Sequence, residues 1–142
     1  MKAVKYEPEA LKMEELLNEC VREMKPNLDH KKVVCQLEID PNCIAYADKA
    51  MMHTVFRNLI INAIKFSFPG GTIRINSASS HKGCTIRVSD EGIGIQPEIQ
   101  EKLFNANEVV STPGTTGESG SGLGLVICKE FLERNQGNIH VE

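Results

Sequence analysis

The segment NLIINAIKFS, residues 58–67, is followed directly by FPGG and indicates a long helix that ends abruptly. Helical periodicity extends this helix back to about residue 48, where Asp48 is the expected N-cap. Its apolar stripe consists of Met52, Phe56, Leu59, Ala63 and Phe66. A rotation of about 100° per residue places Asn58, Asn62 and Lys65 beside this stripe, on one edge of the helix.

Two amides and an ammonium group on one helix edge suit a phosphate ligand. Amide oxygens bind hard cations that keep several waters and bridge phosphates, and a lysine adds a point charge for a phosphate. Asparagine is also a mediocre helix former, so its repetition calls for an explanation. The alternative is an ordinary solvated helix flank.

A second motif, DEGIGI (residues 90–95), stands at the end of a strand expected from residue 84. Strand alternation places Asp90 on the apolar face, so its carboxylate would enter an apolar layer unless a ligand donates a hydrogen bond to it. The amino group of a purine would serve, and Gly92 and Gly94 would let the backbone approach a flat ring. The alternative is a common turn at a strand end.

A third motif, GSGLGL (residues 120–125), opens a helix expected over residues 122–135. Glycines at a helix N-terminus expose backbone N–H groups and the positive end of the helix dipole, which together bind anions. No GK[ST] follows these glycines, so the motif is not a P-loop. The alternative is a flexible loop that leads into a helix.

The remaining apolar patterns predict a mixed α+β chain. Helices are expected over residues 8–25 and 97–104, with Pro26 as the stop of the first. Strands are expected over residues 33–39 and 43–46, in a hairpin of 72–77 and 84–90, and from 139–141 onward. This order predicts a two-layer sandwich, in which helices cover one face of a mixed, mostly antiparallel sheet.

The composition limits the range of possible partners and locations. The chain has 142 residues, 41% hydrophobic and 25% charged, which fits one domain over residues 1–142. A net charge of −3 makes nucleic acid an unexpected partner. The apolar runs are shorter than the roughly 20 residues that span a bilayer, so we expect no membrane contact by this chain. The cysteines are odd in number and form no CxxC pair, so we expect the reduced thiols of a cytoplasmic protein, with disulfides as the alternative, at Cys20, Cys35, Cys43, Cys84 and Cys128.

Taken in this order, NLIINAIKFS, DEGIGI and GSGLGL resemble the N, G1 and G2 boxes of the GHKL ATP-binding superfamily, specifically of sensor histidine kinase catalytic domains. The resemblance extends to RNLIINAIKFSFPGGTI (residues 57–73) and to STPGTTGESGSGLGLVICKEFLERNQGNI (residues 111–139), and so covers nearly the whole chain. It implies the GHKL fold, with residues from about 105 to 121 as a mobile ATP lid.

The resemblance also implies a role for each motif residue. Asn62 would coordinate Mg²⁺ that bridges the ATP phosphates, Lys65 would contact those phosphates, and Asp90 would bind the adenine amino group. The glycine-rich helix start would present its N–H groups to the phosphates. The other expected nucleotide contacts are Asn58, Phe66, Gly92, Gly94, Ile95, Gly120, Ser121, Gly122, Leu123, Gly124 and Leu125.

Position 58 separates the branches of the superfamily. In the gyrase, mismatch-repair and heat-shock chaperone types, and in anti-sigma serine kinases, a Glu one helical turn before the magnesium Asn activates water or a serine hydroxyl. Asn58 takes that place here and cannot act as a general base. The resemblance therefore implies phosphoryl transfer to histidine, with Asn58 and Lys65 as catalytic residues that work by positioning and electrostatics.

The implied partners are ATP, the phosphoacceptor helical domain of the same parent protein and a downstream response regulator. The acceptor helix itself is not matched, because no acidic residue follows His30, His53, His81 or His140. The family continues past the strand begun at Ile139, so the final strand is expected to be truncated. The alternatives are a nucleotide-sensing interaction module without catalysis and, less favoured, a GHKL ATPase.

Overall fold

The structure is a computed structural model that describes residues 5–95, 97–100, 102–104, 113–118 and 123–141. Its helices are α1 (Met13–Glu23), α2 (Lys25–Lys31), α3 (Lys49–Phe66), α4 (Pro97–Gln100) and α5 (Gly124–Arg134). Its strands are β1 (Pro8–Lys12), β2 (Val34–Glu38), β3 (Ile44–Asp48), β4 (Thr72–Ser80) and β5 (Gly83–Ser89). The predicted α+β class is confirmed.

The strands form two sheets. One consists of β1 and β3, which run antiparallel, and the other has the order β2-β4-β5. Within the second sheet β2 and β4 are parallel, whereas β4 and β5 form the predicted antiparallel hairpin. The turn at residues 40–42 separates β2 from β3 without making them a hairpin, because each pairs with a different strand.

The helices cover one face of the strands. Along β4 the side chains of Ile73 and Ile75 are buried, while Arg74 and Asn76 are exposed. Buried side chains of α1 and α3 meet this apolar face, among them Leu17, Met51, Val55 and Ile60. Across the described ranges, no helix has both the length and the apolar character needed to cross a membrane.

The N-terminal region differs from the single helix predicted over residues 8–25. Its first part is the strand β1, because the backbone from Pro8 to Lys12 pairs with β3. Pro26 does not stop a helix either, since it lies in the first turn of α2. Proline is tolerated there because the N–H groups of a first turn have no partner within the helix.

The expected strand at residues 139–141 is also wrong for the described residues. Residues 137–141 lie in no strand. Ile139 still packs against the core, so its apolar character is used. A strand additionally needs a neighbouring backbone to pair with, and none of the described strands pairs with this segment.

The cysteines divide into two groups. Cys43 and Cys84 are disulfide-bonded, which corrects the expectation of reduced thiols for this pair. Cys20, Cys35 and Cys128 are free thiols, as expected. Burial raises the pKa of Cys20 to about 11 and that of Cys128 to about 12, so both thiols stay protonated and unreactive at neutral pH.

Candidate functional site

Helix α3 carries the predicted polar edge, and Asp48 fixes where the helix begins. The Asp48 carboxylate accepts hydrogen bonds from the backbone N–H groups of Glu7 at 2.7 Å and Met51 at 3.0 Å. These bonds hold the pKa of Asp48 below its ordinary value, despite its burial. The predicted N-cap is therefore confirmed.

Asn58, Asn62 and Lys65 are all partly buried on α3. The Asn58 side-chain amide donates to the Thr54 carbonyl at 2.9 Å. Its oxygen lies near the start of α5, because a Cβ added to Gly124 would be 3.1 Å from it. The structure thus brings the polar edge of α3 into contact with the described part of the GSGLGL motif.

Lys65 and Phe66 lie together in the last turn of α3. The Lys65 ammonium is 4.9 Å from the centre of the Phe66 ring, which is a cation–π contact. This contact holds a positive charge beside an aromatic face at the end of the helix. Both side chains therefore lie at the same end of the polar edge.

The DEGIGI turn is attached to this end of α3. The Ile93 N–H donates to the Phe66 carbonyl at 3.2 Å, and Ser67 forms an isolated antiparallel bridge with Gly92. A Cβ on Gly92 would lie 2.0 Å from the Phe66 carbonyl oxygen, so only glycine fits. Gly94 has a φ of 71°, in the left-handed region that favours glycine. Their predicted roles toward a flat ring remain predictions.

Asp90 lies beside this turn, just beyond the end of β5. Alternation predicted that its carboxylate enters an apolar layer, but the residue is exposed. Partial desolvation of the carboxyl group nevertheless raises the pKa of Asp90. One carboxylate oxygen would be 2.7 Å from a Cβ on Gly92, so the glycine also leaves room for the acid. Acids with desolvated carboxyl groups are enriched at functional sites.

The sequence patterns did not single out Lys31, a cation from α2 that is only 7% exposed. Its ammonium donates to the carbonyls of Ile64 at 2.8 Å and Lys65 at 2.9 Å. It also forms an ion pair with the Glu118 carboxylate at 2.8 Å. An ammonium has three protons, and each has an acceptor here.

Residues 113–118, which belong to the predicted lid, pack against the same end of α3. The Thr115 N–H donates to the Lys65 carbonyl at 3.1 Å, and the Thr115 hydroxyl donates to the Ser67 carbonyl. A Cβ on Gly114 would lie 2.3 Å from the Lys65 carbonyl oxygen, so this approach also requires glycine. The described part of the predicted lid is therefore anchored to the residue predicted to contact phosphate.

Glu118 completes this anchor. Burial alone would raise the pKa of its carboxyl group, but hydrogen bonds from Lys31 and Thr116 outweigh burial and lower the pKa to about 2. The Gly114 N–H donates to the Glu118 carbonyl at 2.9 Å, which closes a tight turn. Glu118 is thus fully ionised at neutral pH. Its carboxylate is bonded to Lys31 and Thr116, and its carbonyl is bonded to Gly114.

The remaining predicted residues lie at the edges of this site or beyond the described ranges. Gly120, Ser121 and Gly122 lie outside the described residues, as does most of the lid at 105–121. Leu123 is the residue before α5, and Gly124 and Leu125 form its first turn. Ile95 is partly buried, and its carbonyl accepts from the Gln100 side chain at 2.9 Å.

The described residues offer few ligands to a metal ion. Over the described part of the chain, no group of three or more His, Cys, Asp or Glu side chains is placed to hold one. A magnesium ion that arrives with phosphates keeps several waters and needs only one or two protein oxygens. Asn62 carries one such oxygen and is partly buried on α3, so its chemistry fits the magnesium role, which remains a prediction.

Comparisons with known proteins define the class of this protein. The family described as histidine kinase-, DNA gyrase B- and HSP90-like ATPase matches residues 47–142, which is more than half of the chain. The chain therefore belongs to this family. The relative and the solved structures described next are histidine kinases, so within this family the chain is similar to histidine kinase catalytic domains.

One similar relative is the histidine protein kinase SaeS of Staphylococcus aureus (strain USA300). It is 33% identical over 139 residues, which cover 96% of this chain and 40% of SaeS. The chain thus spans well under half the length of the curated relatives that it matches.

Solved structures of histidine kinases share the fold. The catalytic domain of histidine kinase ThkA is 26% identical with a TM-score of 0.77, and the match covers 91% of this chain and 82% of that one. ThkA in complex with response regulator protein TrrA is 24% identical with a TM-score of 0.74, and the match covers 93% of this chain and 36% of that one. Both agree with the α+β arrangement of helices on one sheet face.

Proposed function

We propose that this chain binds Mg-ATP along the polar edge of α3 and transfers the γ-phosphoryl group to a histidine on a separate dimerisation domain of its parent protein. The observation that carries the proposal is that three segments, distant in sequence from α3, contact this one helix. The DEGIGI turn, residues 113–118 and the first turn of α5 all contact α3. Their contacts lie at Asn58 and at Lys65 and Phe66, toward either end of the polar edge at which a nucleotide would lie.

Asp90 is proposed to recognise the base. Its ionised carboxylate would accept a hydrogen bond from the adenine amino group, and Phe66, Gly94 and Ile95 would line the same pocket. Support comes from the raised pKa of Asp90, since a partly desolvated carboxylate gains from a bound donor. A binding role for Gly92 is compatible with the space that it leaves for Asp90.

Lys65, Asn62 and the start of α5 are proposed to bind the phosphates. The Lys65 ammonium would pair with phosphate oxygens, and the N–H groups of Leu123, Gly124 and Leu125 would do so at a helix N-terminus. Asn62 would hold the magnesium ion through its amide oxygen. When bound, Mg²⁺ would neutralise charge that develops on the phosphate oxygens.

Asn58 decides between transfer and hydrolysis in this proposal. Its amide cannot remove a proton from water, and a neutral imidazole is already nucleophilic. In the transfer a bond forms between the imidazole nitrogen and the γ-phosphorus, while the bond to the β–γ bridging oxygen breaks and ADP leaves. The chain's part is then to orient the phosphates and stabilise charge with Lys65.

The partners and location follow from the same proposal. The acceptor domain would belong to the parent protein, and a response regulator would receive the phosphoryl group next, as ThkA forms a complex with TrrA. The first of these steps needs cellular ATP, and the second takes the phosphoryl group from the histidine, so we place the domain in the cytoplasm. The second candidate, a nucleotide-sensing module, is favoured by the anchoring of residues 113–118, through which bound nucleotide would alter a surface.

Calorimetry with ATP and Mg²⁺ tests base recognition. We expect wild-type chain to bind, and Asp90→Asn to bind at least roughly tenfold more weakly because the amide is a poorer acceptor and adds a competing donor. Asp29→Asn makes the same chemical change at an exposed site on α2 and should bind as wild type does. Equal affinities for wild type and Asp90→Asn would show that the adenine assignment is wrong.

The affinity should also depend on pH in a defined direction. Because the pKa of Asp90 is raised, its carboxylate becomes protonated at a higher pH than an ordinary aspartate, and ATP affinity should fall as pH drops through that pKa. Asp90→Asn should not show this component. Transfer is tested with γ-labelled ATP and a cognate helical hairpin, where binding without label on the hairpin histidine favours the sensing module.

A further inference from the structure

We propose that Lys31 is a positioning residue of the nucleotide site: its ammonium group fixes residues 113–118 relative to Lys65, so that ATP affinity depends on a side chain outside the set proposed to contact the nucleotide. The inference rests on the proposed ATP binding. It concerns a different part of the chain, since Lys31 lies on α2 and outside the three motifs.

The geometry makes Lys31 a bridge between two segments. Two of its protons go to main-chain carbonyls in the last turn of α3, at Ile64 and Lys65. The third goes to Glu118, which lies in the lid segment. The side chain of Lys31 is 6% exposed and that of Glu118 is 34% exposed, so the bridge is largely shielded from water.

A buried lysine is a poor choice if its only task is to stabilise the end of a helix. Removing an ammonium from water is costly, and a well-packed apolar residue of similar volume is often as stabilising as a buried ion pair. What a fully bonded ammonium supplies instead is a fixed geometry between its acceptors. Here the acceptors belong to the site helix and to the lid segment.

A second set of contacts joins the same two segments at the same atom. The Lys65 carbonyl accepts from Lys31 and also from the Thr115 N–H. Gly114 approaches this carbonyl so closely that a side chain cannot be placed there. Loss of the Lys31 ammonium would remove the ion pair at Glu118 and leave only the contacts of Gly114 and Thr115, so residues 113–118 would be held less firmly beside Lys65, whose side chain lies over Phe66.

Three variants of the chain test this proposal: Lys31→Met, Glu118→Ala and the double variant. Affinity for ATP with Mg²⁺ is measured by calorimetry at a temperature where circular dichroism shows each variant folded, and the melting temperature is recorded in parallel. We expect each single variant to bind roughly tenfold more weakly. The double variant should be no weaker than the weaker single variant, because both remove the same bridge.

Lys32→Met is the matched control, because it removes the same charge from an exposed neighbour and should leave affinity unchanged. The proposal is overturned if Lys31→Met and Glu118→Ala melt at lower temperature but bind ATP as wild type does, since Lys31 would then act only on stability. If Lys31→Met does not fold, Glu118→Ala decides alone, because it leaves the bonds from Lys31 to α3 in place. Failure of the wild-type chain to bind ATP would instead refute the proposed function, and this inference with it.

Discussion

The two ends of helix α3 are closed by different kinds of partner. At its start the Asp48 side chain accepts hydrogen bonds from backbone N–H groups, and the Asp48 backbone N–H donates to the Asn135 side chain at 2.8 Å. At its end the main chain accepts, from Lys31, Ile93 and Thr115. The first end ties α3 to β1 and to the end of α5, whereas the second ties it to the segments proposed to bind ATP. A change at the first end should therefore lower stability alone, whereas a change at the second end should also lower ATP affinity.

The largest effect on stability and ATP binding is expected from a substitution that disrupts the contacts at the second end of α3. In Gly92→Ala the added Cβ would lie 2.0 Å from the Phe66 carbonyl oxygen, so the DEGIGI turn must move away from α3. We expect a loss of about 3 kcal/mol in the free energy of unfolding together with loss of ATP binding. Urea unfolding and calorimetry measure the two effects.

Gly137→Ala is the control for this change. There the nearest atom to an added Cβ is a flexible end of the Leu132 side chain at 3.3 Å, and a small adjustment relieves the contact. Its free energy of unfolding should stay within about 1 kcal/mol of wild type. Wild-type stability in Gly92→Ala would mean that the turn is not held against α3.

A smaller effect is expected at the first end. Asp48→Ala removes a buried N-cap and leaves the N–H groups of Glu7 and Met51 without this acceptor. We expect a loss of about 2 kcal/mol in the free energy of unfolding. The ATP affinity of the folded chain should not change. Asp48→Asn should recover only part of the stability, because its single amide oxygen can accept from Met51 as an N-cap but its NH₂ group cannot accept from Glu7.

The ATP affinities of Asp48→Ala and Lys31→Met, measured side by side, distinguish the roles of the two ends. Both variants remove charged groups that bind backbone at an end of α3. Only the second is expected to weaken ATP binding. A parallel loss in Asp48→Ala would contradict the separation of stability from binding.

The smallest effect concerns the acid dependence of stability. The pKa of Glu118 is lowered from an ordinary value of 4.5 to about 2, so the folded chain favours its ionised form. The stability that this carboxylate contributes is fully present above pH 4.5 and is lost as the pH falls toward 2. Glu118→Gln should lower the free energy of unfolding by about 1 kcal/mol at pH 7 and flatten this part of the profile.

Urea unfolding across this pH range provides the measurement. Glu130→Gln, at an exposed position of α5, should leave the profile unchanged. The lowered pKa of Asp48 acts in the same direction and remains in both variants, so some acid dependence persists. An unaltered profile in Glu118→Gln would mean that the ion pair with Lys31 contributes nothing to stability.

Local patterns predicted the parts of the fold that depend on local rules. The N-cap at Asp48 and the stop after Phe66 predicted the bounds of α3 almost to the residue. The predicted stripe was right for Met52, Phe56 and Ala63, whereas Leu59 and Phe66 are only partly buried. The hairpin of β4 and β5 followed from alternation around a short polar turn. The three motifs also indicated which helix would be the centre of the site.

Other features depend on contacts that no local pattern contains. The segment 8–12 has helical spacing, but pairing with β3 made it a strand. Lys31 follows Met24 and Leu28 on the buried face of its region, and a lysine at that spacing was the available signal. Its acceptors come from α3 and from Glu118, which are distant in the sequence. Only the folded chain brings them together.

The last turn of α3 assigns two tasks to different atoms of the same residues. Lys65 and Phe66 hold neighbouring segments through their carbonyl oxygens, which every amino acid carries, while their side chains lie against one another at the site. Substitution of either side chain leaves the two carbonyl oxygens in place as hydrogen-bond acceptors. This turn therefore offers positions at which ligand preference can be redesigned, or drift during evolution, without dismantling the architecture around it.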